Sequence, residues 1–246
     1  MFESSDARVA AAAGGGSPAR LSWIVAFFVL SGLTGLVYQS VWTQYLGLVL
    51  GSAAYAQSLV LAIFMGGMAI GSWIASRRAE RLTNLLFGYG AIEGAVGLFA
   101  LAFHPLFLAG TALLYERAIP QLESPLAIDL VRWGFAVLMI LPQTILLGMT
   151  FPIMSAGLMR WLPERAGAIL GGLYFLNSAG AAFGALAATF VLVPALGLPG
   201  TLVFAGLLNL LIFACVILAR FPRARRRPTA SPPRRRTGRR IPSCRD

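Results

Sequence analysis

Six apolar stretches, each long enough to cross a bilayer, occupy nearly all of the chain between residues 21 and 219. They fall at 21–42, 53–75, 84–104, 127–150, 167–193 and 199–219. A hydrocarbon core of about 30 Å is spanned by roughly 20 apolar helical residues, and every stretch meets that length. None shows the alternation of a membrane β-strand, and helices satisfy their own backbone hydrogen bonds in lipid. The pattern predicts an all-α, polytopic membrane bundle of six transmembrane helices.

Only 12% of the residues are charged, against roughly 25% in a soluble domain. A chain of 246 residues leaves room for a bundle over 21–220, a flexible tail over 1–20 and a disordered tail over 221–246. All 20 basic residues are Arg, and apart from Arg117 in the third connection and Arg132 just inside span four they fall on alternate sides of the spans. Arg8 and Arg20 precede span one, Arg77, Arg78 and Arg81 follow span two, and Arg160 and Arg165 follow span four. The largest cluster follows span six. The positive-inside rule then predicts a multi-pass plasma-membrane protein with both termini cytoplasmic. Ala54-Tyr55-Ala56 has the form of a signal-peptide cleavage site, but it lies inside the start of span two.

Residues 104–126 read as one long external connection, with Leu106, Phe107, Leu113 and Leu114 suited to a short helix at the membrane surface. Pro142 is expected to bend span four, which either runs past the bilayer or breaks at Pro152. The Arg/Pro tail reads as a solvated cytoplasmic end or the product of a shifted reading frame, in preference to a lipid- or nucleic-acid-binding arm. Because three is odd, two successive triplets of spans enter the membrane in opposite senses, the arrangement of inverted-repeat membrane proteins.

Glu93 is the sharpest single residue. An acid inside a span normally faces protein or water, and Gly90, Gly94 and Gly97 share its helical face. It reads either as a proton- or cation-binding carboxylate or as a hydrogen-bonded packing residue. Tyr38, Gln39 and Trp42 line span one as a wall of a solute site or as an interfacial aromatic belt. Tyr174 and Asn177 mark a stripe on span five, where Asn177 can hydrogen-bond across helices. Gly67-x-x-x-Gly71, Gly90-x-x-x-Gly94, Gly167-x-x-x-Gly171 and Gly180-x-x-x-Gly184 predict tight helix packing, with dimerisation as the alternative. Asp129 and Arg132 are spaced to pair. His104 and Cys215 stand apart from any metal set, and the residues offer no nucleophile–base pair and no cofactor loop.

Several stretches taken together resemble a known family. They are Leu30-Ser31-Gly32 with Leu36-Val37-Tyr38 and Trp42, Leu46 to Ser52, Gly66 to Ser72, Tyr89 to Gly94, and Tyr174 to Ala181 with Pro194 and Gly197. Over residues 21–220 the chain resembles the membrane half of bacterial membrane-bound spermidine synthase-like proteins. The resemblance implies a fold like one lobe of a major facilitator superfamily transporter. It also implies a following cytoplasmic aminopropyltransferase-like domain of Rossmann type, whose catalytic residues are not in this sequence. The expectation is thus a chain without catalysis of its own, either a membrane anchor or a small-solute binding module. The alternative is a transporter-like homodimer for a cationic, polyamine-like solute. The implied partners are lipid, a second copy or a separate soluble aminopropyltransferase-like domain. The family pattern has Glu where this chain has Gln39, which removes a charge from that position.

Overall fold

The computed structural model describes residues 18–79, 81–161 and 166–218. The expected 221–246 tail and most of the expected 1–20 tail lie outside the described residues. Almost everything described is helical: α1 (Pro18–Leu50), α2 (Ala53–Ala79), α3 (Leu85–Leu113), α4 (Pro125–Trp161), α5 (Ala166–Ala187) and α6 (Val193–Leu218). A π-helical turn, Leu114–Ala118, and a 3-10 turn, Ile119–Gln121, extend α3, and a second π-helical turn, Ala188–Leu192, joins α5 to α6. Five continuous helical runs are long and apolar enough to cross a membrane, the last being Leu170–Leu218.

Local chemistry sets the boundaries. Gly51, at φ 72°, ends α1 in the left-handed conformation that only glycine adopts without strain. The Asn84 side chain accepts from the Phe87 backbone N–H at 3.1 Å and opens α3. Pro125 occupies the first position of α4, where its missing donor costs nothing.

One expectation about connections is corrected, and of the two courses open to span four at Pro152 the continuous one holds. The external segment from 104 is not a separate surface helix, because α3 continues through Pro105 to Leu113. Of its apolar residues, Phe107 and Leu114 are buried, while Leu106 and Leu113 are exposed. Nor does α4 break at Pro152, since it continues to Trp161. Proline at 152 leaves the Gly148 carbonyl without its helical donor, and the Ser72 hydroxyl of α2 donates to that carbonyl at 2.9 Å. A neighbouring helix thus supplies the bond that the proline removes.

Glycines bring the helix pairs into backbone contact. A Cβ on Gly180 or Gly184 would lie 2.3 Å from Val29 O or 2.2 Å from Leu33 O, so α5 lies directly on α1. Gly67 faces Thr144, and Gly71 faces Ile145 and Gly148, which seats α2 on α4. Gly90, Gly94 and Gly97 face Val216, Phe213 and Gly206 in turn, which seats α3 on α6. Three of the four expected glycine pairs therefore make seams within the bundle, whereas Gly167 and Gly171 meet nothing within 4 Å.

These pairings also fix the chain sense. The α1–α5 and α2–α4 contacts ascend together in number, as do α1–α3 contacts from Phe27–Tyr89 to Tyr45–His104. The α3–α6 contacts run in opposite order, so α5 and α6 are antiparallel although they form one continuous run. The reversal centres on Gly197, whose φ of 67° and ψ of 177° are non-helical.

Candidate functional site

The middle of the bundle is polar. On α1, Tyr38 and Trp42 are one helical turn apart and stack with ring centroids 5.7 Å apart. Both are fully buried, and Trp42 also lies against Phe64 and Phe103. On α3, the side-chain-free face at Gly94 and Gly97 lets α6 approach until a Cβ there would strike Phe213 or the Gly206 carbonyl. That approach carries Asn209 of α6 to Glu93.

The Asn209 amide nitrogen donates a short hydrogen bond to Glu93 Oε2, and the Tyr38 hydroxyl donates to Asn209 Oδ1 at 2.8 Å. One side chain from each of α1, α3 and α6 is thereby linked in a directional chain. Glu93, Tyr38 and Asn209 are all 0% exposed. The hydroxyls of Ser31 and Tyr89 also face the Glu93 carboxyl group, while Tyr89 donates to the Phe27 carbonyl at 3.2 Å. Two buried atoms of this cluster make no hydrogen bond, Glu93 Oε1 and Trp42 Nε1. Buried polar atoms are rarely left in that condition.

The expected site residues divide into separate places. Tyr38, Trp42 and Glu93 come together. Gln39 is buried next to them in sequence, but its recorded bond is through the backbone, accepting from the Thr43 hydroxyl. Tyr174 is 66% exposed and meets Phe151 edge-on, away from the cluster. Asn177 belongs to the α1–α5 seam, where its carbonyl lies against Gly32. Asp129 and Arg132 do pair, at 3.8 Å, outside the cluster. Asn209 was not singled out in the sequence. The signal for it was an amide in the middle of an otherwise apolar run, Leu207-Leu208-Asn209-Leu210-Leu211.

Among the described residues no group of three His, Cys, Asp or Glu gathers to hold a metal. The central cluster is a sealed hydrogen-bonded junction of three helices. It can hold those helices in register and hold a proton.

No family model matches the sequence, and no solved structure matches it. Among curated proteins, polyamine aminopropyltransferase 2 of Streptomyces coelicolor is 28% identical over 202 residues, covering 80% of this chain. The chain spans about a third, 35%, of that relative's length. This finding counts against the expectation of a chain without catalysis of its own, because the relative is an enzyme.

Proposed function

We propose that this chain is the membrane-embedded region of an enzyme of the polyamine aminopropyltransferase type. The observation that carries the reading is where the likeness must fall. A match covering 80% of the chain has to take in most of the described residues, nearly all of them helical and many of them apolar. A likeness over helices long enough to cross a membrane supports a membrane-embedded region in an enzyme of this type.

In this reading the chain crosses the bilayer six times. The run Leu170–Leu218 has 49 residues; as one straight helix it would be about 74 Å long, more than twice the hydrocarbon thickness. The reversal at Gly197 divides it into two crossings of ordinary length. An even number of crossings agrees with the arginine distribution, so both termini face the cytoplasm. The parallel pairs α1–α5 and α2–α4, with the antiparallel pair α3–α6, are what two triplets in inverted orientation would give. That arrangement supports the likeness to one lobe of a major facilitator-type protein. The bundle would hold aminopropyl transfer at the inner face of a bacterial plasma membrane.

The test is to assay aminopropyl transfer to a polyamine in membranes from cells that carry the full gene and from cells in which it is deleted. Activity that sediments with the membranes and vanishes on deletion is expected. Activity found wholly in the soluble fraction and unchanged by deletion would overturn the proposal.

A further inference from the structure

We propose that Glu93 is a proton-binding site in the bilayer core, with the proton held on Oε1. Oε2 is taken by the Asn209 amide N–H, and the Asn209 carbonyl oxygen is taken by the Tyr38 hydroxyl. Every donor in that chain points towards Glu93, so the chain ends at Oε1, which is buried and accepts nothing.

The remaining surroundings match an acid better than a carboxylate. The groups that face Glu93 are the hydroxyls of Ser31 and Tyr38 on α1, Tyr89 on α3 and Asn209 on α6. On the adjoining α4, Gln143 turns away to donate to the Val96 carbonyl at 3.2 Å. Tyr89 already gives its proton to the Phe27 carbonyl, which leaves its oxygen free to accept one from the acid. Among the described residues no arginine or histidine pairs with Glu93, and the one recorded ion pair is Asp129–Arg132. An unpaired negative charge with 0% exposure is strongly disfavoured in an apolar interior. A neutral carboxylic acid satisfies the same partners and supplies a donor. The charge state of Glu93 then links α1, α3 and α6, because losing the proton would put a negative charge at their common junction.

Infrared spectroscopy of the purified protein in detergent at neutral pH tests this directly. We expect a carbonyl stretch of one protonated carboxyl per chain, lost in Glu93→Gln and displaced by deuterium exchange. Should Glu93→Gln fail to fold, Glu93→Asp gives the same assignment by shifting the band, and Tyr38→Phe by altering its frequency through Asn209. Absence of any neutral-acid band from the wild-type protein, or a band unmoved by all three substitutions, would overturn the proposal. The measurement needs no enzymatic activity, so it can fail or succeed independently of the aminopropyltransferase reading.

Discussion

Replacing Gly71 by Ala should open the α2–α4 seam. The new Cβ would lie 2.0 Å from the Ile145 carbonyl oxygen, 2.9 Å from its carbon and 3.1 Å from the Gly148 carbonyl carbon. All three obstacles are backbone, so no side chain can swing aside. Restoring ordinary contact requires the two helices to part by roughly 1.4 Å locally, enough to forfeit much of the dispersion energy across the seam. Overpacking of this kind costs about 1–3 kcal/mol. The same displacement stretches the bond from Ser72 to Gly148 O, 2.9 Å in the native protein, and exposes the carbonyl that Pro152 leaves without a helical donor. That adds about 1 kcal/mol, giving a loss of about 2–4 kcal/mol. Gly66→Ala is the matched control, since a Cβ there meets nothing within 4 Å and better helix propensity favours it by up to ~1 kcal/mol. Thermal unfolding in detergent, followed by size-exclusion fluorescence, compares the two. A Gly71→Ala protein that melts with Gly66→Ala or above it would refute the reasoning.

Three further outcomes follow from named contacts. Asn209→Leu should destabilise more than Tyr38→Phe in the same melting assay. The first removes the partner of both the Tyr38 hydroxyl and Glu93 Oε2, whereas the second strands only the Asn209 carbonyl oxygen, at about 1–3 kcal/mol. Arg160→Ala removes the two bonds that the guanidinium makes to Ala79 O and Leu82 O, at 2.8 and 2.9 Å. Faster amide exchange at residues 81–84 with an unchanged melting temperature is expected. Gly197→Ala forces a side chain into a positive-φ, extended-ψ conformation that essentially only glycine adopts at about 1–3 kcal/mol, seen as a lower melting temperature than Gly134→Ala, whose site is open.

The helices were legible because crossing a bilayer demands length and apolarity, both one-dimensional properties. Their ends and partners were less so. Pro152 left open whether span four runs on or breaks, since proline removes a backbone bond, and whether another helix replaces that bond depends on a residue far away in sequence, here Ser72 for Gly148. The stripe rule set Gln39 in line with Trp42 and Tyr38 beside it, whereas in the structure it is Tyr38, one turn from Trp42, that stacks on it. It could not say which stripe faces inward, and so Tyr174 joined the candidate set although it points outward. Asn209 escaped attention because nothing local distinguishes a packing amide from one that completes a site. Its role comes from the glycine face of α3, which admits α6. Gly197 was legible only as part of a family pattern, and its reversal of the chain is a property of its φ angle.

The account depends most on a chain that crosses the membrane six times and returns to the side where it began. Cysteine accessibility reads that out, with Cys244 as the natural reporter after span six in a Cys215→Ala background. Ser4→Cys and Ser124→Cys, each placed in a chain lacking both native cysteines, report the start of the chain and the α3–α4 connection. The account predicts that a membrane-impermeant maleimide labels Ser124→Cys in intact cells, and labels Ser4→Cys and Cys244 only after lysis. Labelling of Ser4→Cys and Cys244 from opposite sides would mean an odd number of crossings and would contradict it.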